Sequence, residues 1–132
     1  MIWIAAAAGA AAGAAIIALM HREGMLRERS GLAMLLAAIA FFYPVFAAAE
    51  GDWGAVAVHG VVFVGFVALA IRAWRRGTFL IAGGLIAHGL FDIATGVIGA
   101  PGPAWWPAFC AALDIVAGVA VLRLIQTGKI AE

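Results

Sequence analysis

Five long apolar stretches account for most of the chain. They cover approximately residues 2–20, 30–49, 53–74, 78–98 and 104–125, and each is close to the roughly 20 residues that a helix needs to cross a hydrocarbon core of about 30 Å. No stretch shows the strict alternation of apolar and polar residues that indicates a β-strand. The pattern therefore predicts an all-α protein, a polytopic bundle of five transmembrane helices, because backbone polar groups in lipid must be hydrogen-bonded within the span.

The composition agrees with a membrane protein. Of the 132 residues, 67% are hydrophobic and 11% are charged, whereas soluble domains carry about 25% charged residues. The segments between the apolar stretches are short, so we expect residues 1–132 to form a single transmembrane helical domain in the lipid bilayer. The stretch from Met1 to Met20 does not begin with basic residues, and positive charges follow it instead. We therefore expect a retained helix rather than a signal peptide.

The basic residues are confined to one end of the predicted bundle. They lie in the first loop and at the ends of the third and fifth helices: Arg22, Arg27, Arg29, Arg72, Arg75, Arg76, Arg123 and Lys129. The positive-inside rule then predicts an N-terminus outside and a C-terminus in the cytoplasm. We expect a multi-pass location in a bacterial inner membrane. A net charge of +1 gives no indication of nucleic acid as a partner.

The first helix consists largely of alanine and glycine. Gly9 and Gly13 lie four residues apart, a spacing of small residues that lets another helix approach the backbone closely. A homo-oligomer formed through this face and a neighbouring helix of the same chain both fit the pattern.

Two ionisable residues lie within the fourth helix. His88 and Asp92 are separated by one helical turn and so share a face. Ionisable residues at membrane depth are costly, usually face the bundle interior, and often have a function. We therefore take His88 and Asp92 as the candidate catalytic pair.

Polar residues on neighbouring helices are expected at a similar depth. At a rise of 1.5 Å per residue, His59 lies about 9 Å and Asp114 about 12 Å from the outer ends of their helices, and Asp92 lies about 10 Å from its own. The predicted metal ligands are therefore His59, His88, Asp92 and Asp114. Tyr43, Glu50 and Cys110 are possible additional members of the site.

This set of residues is compatible with several kinds of chemistry. Two imidazoles and two carboxylates suit a divalent transition metal such as zinc. Without a metal, Asp92 could orient His88 for acid–base catalysis or a proton relay. A purely structural polar cluster that fixes the register of the helices is the third interpretation. The sequence leaves open whether the protein is an enzyme.

Other sites are less well supported. Cys110 is the single cysteine, so no disulfide can form within the chain, and a lone thiol among apolar residues usually behaves as a small hydrophobic group. No glycine-rich phosphate loop is present, because Gly83-Gly84 is not followed by Lys and Ser or Thr.

The C-terminal third resembles a known pattern. His88-Gly89-Leu90-Phe91-Asp92, followed by a Trp-Pro segment at Trp106-Pro107, then Cys110 and Asp114, is similar to a family of small, uncharacterised bacterial integral membrane proteins. The resemblance implies that His88, Asp92, Cys110 and Asp114 belong to the site. It implies no particular activity.

The sequence as a whole predicts a His- and Asp-rich cavity in the outer half of a five-helix bundle. We interpret it as a metal-binding or acid–base site that acts on a small or lipophilic molecule. The alternatives are a proton- or ion-coupled carrier and a non-catalytic subunit of a larger membrane complex.

Overall fold

Six α-helices and one short 3₁₀ turn form the protein, which contains no strand. The computed structural model describes residues 1–132. The helices are α1 (Ile2–Arg22), α2 (Ser30–Ala40), α3 (Phe42–Ala49), α4 (Trp53–Arg76), α5 (Thr78–Ile98) and α6 (Trp106–Gln126), and the 3₁₀ turn covers Met25–Glu28. Since α2 and α3 together form one apolar segment, five segments are long and apolar enough to cross a membrane. The prediction of an all-α bundle with five such helices is confirmed.

The second span is interrupted where a proline removes a backbone donor. Pro44 has no N–H to offer the carbonyl of Ala40, four residues earlier. The helix ends at Ala40 and restarts at Phe42, and the Phe41 N–H instead bonds the Ala38 carbonyl at 3.2 Å. A proline within an apolar span predicts a kink, and at Pro44 it is present as a break between α2 and α3.

The start of the second helix differs from what residue type alone predicts. Serine is a common N-cap, so Ser30 is the expected cap of this helix, but this is wrong, since Ser30 is already the first helical residue and Arg29 is the N-cap, without a capping side chain. A capping residue must precede the helix with its oxygen facing the free N–H groups. Asp52 does so for α4, where its carboxylate accepts a hydrogen bond from the Ala55 N–H at 2.9 Å.

α6 lies between α1 and α5 and packs closely against both. On the α1 side, a side chain at Gly9 would overlap the carbonyl of Phe109, and one at Gly13 would overlap the carbonyl of Leu113. The Gly9/Gly13 face is therefore used within the chain, as the intrachain interpretation expects. Homo-oligomerisation stays a prediction.

The two ends of the bundle have different interiors. Toward the basic end, the core is aliphatic and includes Ile17, Leu32, Leu36, Ile81 and Val121. The buried ionisable side chains belong to the opposite half, on the later part of α5 and the earlier part of α6. A dry aliphatic layer thus separates the polar residues from the basic end.

Candidate functional site

α5 presents an imidazole and a carboxylate to the interior of the bundle. The His88 Nδ1 atom lies 3.3 Å from Asp92 Oδ2, one turn further along the helix. Both side chains are buried, with exposures of 1% and 0%. The shared face predicted from the spacing of these two residues is present.

α6 adds a second carboxylate to the same imidazole nitrogen. Asp114 Oδ2 lies 2.7 Å from His88 Nδ1, a short hydrogen bond between fully buried groups. The bond joins residues on two different helices, so it depends on how closely α5 and α6 approach each other.

Two glycines account for that close approach. A Cβ at Gly89 would lie 2.9 Å from the Ala111 carbonyl oxygen and 3.3 Å from the Asp114 Cβ. A Cβ at Gly118 would lie 2.8 Å from the Ala82 carbonyl oxygen. Real side chains do not tolerate backbone contacts of this kind without displacement of a helix. Gly89, directly after His88, therefore lets Asp114 come within reach of the His88 ring.

Several polar atoms of the cluster have no hydrogen-bond partner. They are His88 Nε2, both carboxylate oxygens of Asp92 and Asp114 Oδ1. Buried polar groups in proteins are nearly always paired, and leaving one unpaired costs about 1–3 kcal/mol. The cluster therefore has unused capacity to bind a cation or protons.

No Lys or Arg compensates the negative charge of the cluster. The ion pairs of the chain include no Lys or Arg with Asp92 or Asp114. With both carboxylates ionised, the cluster carries a charge of −2 beside a neutral imidazole and −1 beside a protonated one. Burial of an unpaired charge is strongly unfavourable. A bound cation or carboxylate protonation would reduce this cost.

The geometry suits a metal ion. One ligand atom from each of His88, Asp92 and Asp114 lies within 4.8 Å of the other two. Atoms that bind a zinc ion at about 2.0–2.2 Å are separated from one another by no more than about twice that distance, and small side-chain movements bring these three atoms into that range. One nitrogen and two oxygen ligands suit zinc, manganese or iron.

A hydroxyl chain borders Asp92. The Thr95 hydroxyl lies 3.0 Å from the Asp92 carbonyl oxygen and 3.1 Å from the Tyr43 hydroxyl. Thr95 has one proton, so donation to the carbonyl leaves its oxygen free to accept from Tyr43. Tyr43, on α3, is thereby held next to the cluster, and its membership of the site stays a prediction.

His59 lies outside the cluster. Its ring stacks on Tyr43, with ring centroids 5.2 Å apart, and meets the edge of Phe91 at 6.2 Å. The three-residue group of possible ligands does not include it, and its Nδ1 is buried without a partner. The structure thus brings together three of the four predicted ligands.

The remaining two candidates occupy different positions. Glu50 accepts a hydrogen bond from the Gly102 N–H at 2.7 Å, which ties the turn after α3 to the loop before α6. Cys110 is a buried free thiol one turn before Asp114 on α6. Glu50 therefore supports the loops at one end of the bundle, and Cys110 lines the interior near the cluster.

Aromatic rings surround the imidazole. Phe66 of α4 meets His88 nearly perpendicularly, with ring centroids 4.8 Å apart, and Phe91 lies at 5.9 Å. They shield the imidazole from polar surroundings. Phe66 is one of many apolar residues on α4, and its sequence position alone gave no signal of this role.

A cleft leads to the cluster from the end of the bundle opposite the basic residues. It has a volume of about 210 Å³ and lies among the start of α1, the second half of α5 and the start of α6. Asp92 is the one ionisable residue along it, and Ile2, Ile93, Gly96 and Pro107 form much of the wall. Asp92 is therefore the member of the cluster that adjoins the cleft, and its side chain is fully buried behind the cleft wall.

No protein-family model, curated protein or solved structure matches the chain. Its function is therefore inferred from the chemistry of His88, Asp92 and Asp114 and from the cleft beside Asp92.

Proposed function

We propose that this is a small inner-membrane protein in which His88, Asp92 and Asp114 bind a divalent transition metal such as zinc. The observation that carries the proposal is the set of unpaired oxygen and nitrogen atoms on three buried side chains that share a single small space. A divalent cation neutralises two carboxylates beside a neutral imidazole. Hydrogen bonds from His88 alone would leave at least one of the two carboxylate charges buried without compensation.

The number of ligands supports a reactive centre. Catalytic zinc sites usually have three protein ligands and keep a further position for water or substrate, whereas structural sites are closed by four protein ligands. His88, Asp92 and Asp114 supply three, and the cleft ends at Asp92. A bound metal there would polarise a substrate carbonyl or activate water. We therefore infer action on a small molecule that enters along the cleft.

An acid–base site is the second candidate, and one specific observation favours it. Asp92 and Asp114 both direct Oδ2 at the same nitrogen of His88, at 3.3 and 2.7 Å. A proton on that nitrogen can pass to either carboxylate. In this version His88 and Asp92 are the catalytic pair and Asp114 orients the imidazole.

A carrier and a non-catalytic subunit receive less support. A carrier needs access from both sides, but aliphatic side chains such as Leu36, Ile81 and Leu85 fill the bundle between the cluster and the basic end. A subunit could use the exposed valines of α4, Val58, Val61 and Val64. Lipid covers such a surface equally well.

Metal content of the purified protein tests the proposal. Wild-type protein, stripped with a chelator and dialysed against zinc, should retain about one ion per chain by elemental analysis. Asp92→Asn should lower the affinity at least about tenfold, because a neutral amide is a poor ligand for these metals. The yield of folded protein should remain similar, since an amide is less costly to bury than a carboxylate.

Asp52→Asn provides the matched control. Asp52 caps α4 at the membrane surface, and asparagine caps helices as well as aspartate does. This variant should bind zinc like the wild type. Wild-type protein that retains no more zinc than Asp92→Asn would exclude the metal site and leave the acid–base site as the working hypothesis.

We also propose that the N-terminus lies outside and the C-terminus in the cytoplasm. All eight Arg and Lys residues lie near one end of the helices: at the end of α1 and in the loop after it, at the end of α4, and at the end of α6 and just beyond it. Basic residues at a membrane surface are retained on the cytoplasmic side.

Reporter fusions test this orientation. A reporter active only in the cytoplasm, fused after Glu132, should be active, and a periplasmic reporter at the same position should be inactive. The opposite pair of results would reverse the orientation, and the cleft would then open toward the cytoplasm. A reporter fused before Met1 should give the complementary pattern.

A further inference from the structure

The geometry points to a second binding site at the basic end of the bundle, for one phospholipid with an anionic headgroup. The site has a basic cavity for the headgroup and an adjoining apolar groove for an acyl chain. It shares no residue with the cluster around His88 and does not depend on the metal proposal.

The headgroup cavity lies where the loop after α1, the junction of α4 and α5, and the C-terminal segment meet. It has a volume of about 540 Å³. Four basic residues line it, Arg27, Arg29, Arg75 and Lys129, together with one acidic residue, Glu28. The net charge of the lining is therefore +3, which favours an anionic group such as phosphate.

Arg29 has an unusual backbone at this cavity. It is the one residue other than glycine with a positive φ, at 56°, a conformation that is unfavourable for a long side chain and is often found at ligand-binding positions. Its guanidinium donates a hydrogen bond to the Glu132 carbonyl oxygen. The bond holds the C-terminal segment, which contributes Lys129, against the cavity.

An apolar groove begins beside this cavity. It runs between α2 and α4 and has a volume of about 280 Å³. Its lining includes Ala33, Ala37, Val67, Ala70 and Trp74. From Trp74 to Val67 the groove extends about 10 Å toward the membrane centre, at 1.5 Å per residue. Alanines from both helices provide the space for a hydrocarbon chain.

Trp74 joins the two parts, since it lines both the cavity and the groove. Tryptophan prefers the depth at which headgroups meet acyl chains. The order along the membrane normal is therefore basic cavity, tryptophan, apolar groove, which is the order of headgroup, interface and chain in a phospholipid. A free phosphate would use the cavity alone, so the groove favours the lipid.

Lipid binding by the purified full-length protein tests the inference. Native mass spectrometry would measure retention of phosphatidylglycerol, of phosphatidylcholine with the same chains, and of inorganic phosphate. Arg27→Gln/Arg75→Gln should lower the affinity for phosphatidylglycerol about 25-fold, or about fivefold for each arginine, from roughly 1 kcal/mol per basic residue near an anionic surface. Arg22→Gln/Arg123→Gln removes the same charge outside the cavity and should change the affinity less than about threefold.

A second pair of variants tests the groove. Ala37→Leu narrows the groove and should weaken phosphatidylglycerol binding severalfold without changing phosphate binding. Ala38→Leu, on the exposed side of the same helix, is the matched control. Equal weakening by Ala37→Leu and Ala38→Leu, or by the two arginine pairs, would overturn the site. Equal retention of phosphatidylcholine and phosphatidylglycerol by the wild-type protein would also overturn the site. This measurement does not depend on the folding of any variant.

Discussion

The Asp92→Asn/Asp114→Asn double variant should bind no divalent metal and, in the absence of metal, should be more stable than the wild type. Both effects have the same cause. Under the proposed function the carboxylates attract a cation, and without one a single imidazole is the only group that can offset their two charges in a buried space. Neutral amides of nearly the same shape remove both the attraction and the cost of burial.

The size of the effect follows from the burial of the two groups. Replacement of buried ionic groups by apolar residues of similar volume is often stabilising by about 1–4 kcal/mol, and amides, which remain polar, should give the lower end of that range. We therefore expect a higher unfolding temperature for the chelator-treated double variant than for chelator-treated wild type in the same detergent. Zinc at 100 times its dissociation constant should stabilise the wild type by about 2.7 kcal/mol and leave the double variant unchanged.

The same measurement separates the metal site from a structural polar cluster. If the hydrogen bond between His88 and Asp114 served mainly to fix the register of α5 against α6, the double variant would be less stable with or without zinc. An unfolding temperature below that of the metal-free wild type, together with no response of the wild type to zinc, would establish the structural interpretation.

Gly13→Leu should prevent normal packing of α1 and should cause the largest loss of folded protein among the single changes considered. A side chain at this position would overlap the backbone of Leu113 on α6, which cannot move aside as a side-chain end could. Overpacking of a well-filled core costs about 1–3 kcal/mol or more, and the involvement of backbone places this case at the upper end. Since α6 also carries Asp114, the proposed zinc binding should decrease as the fraction of folded protein decreases.

Gly65→Leu is the matched control for this change. Gly65 lies on an exposed face of α4, and a Cβ there would meet nothing within 4 Å. Size-exclusion chromatography should therefore recover Gly65→Leu as a monodisperse species and Gly13→Leu mainly as aggregate. Equal recovery of the two variants would show that α1 does not pack on α6 as described.

Helix positions were predictable because membrane thickness and polar spacing constrain them strongly. The fourth predicted helix, 78–98, coincides with α5, and the spacing of His88 and Asp92 predicted their shared face. The capping of α2 was not predictable from Ser30 alone, because capping depends on where the backbone enters the helix. That entry depends here on Arg29 and its left-handed conformation.

The site was predictable in depth but not in rotation about each helix. Counting residues placed His59, Asp92 and Asp114 at similar depths. It could not tell that α4 turns His59 toward Tyr43 and Phe91, whereas α6 turns Asp114 toward His88. For α5 and α6, the rotation that turns His88 and Asp114 toward each other depends on close packing at Gly89 and Gly118. This packing becomes evident only when the two helices are seen together.

The small size of the cleft at Asp92 limits what can reach the cluster. A volume of about 210 Å³ holds about seven water molecules at about 30 Å³ each. That is close to one hydration shell of a divalent ion. If His88, Asp92 and Asp114 bind a metal as proposed, the ion would arrive with its water and exchange that water for these side chains, so the rate of metal uptake would follow the rate of water exchange of the ion.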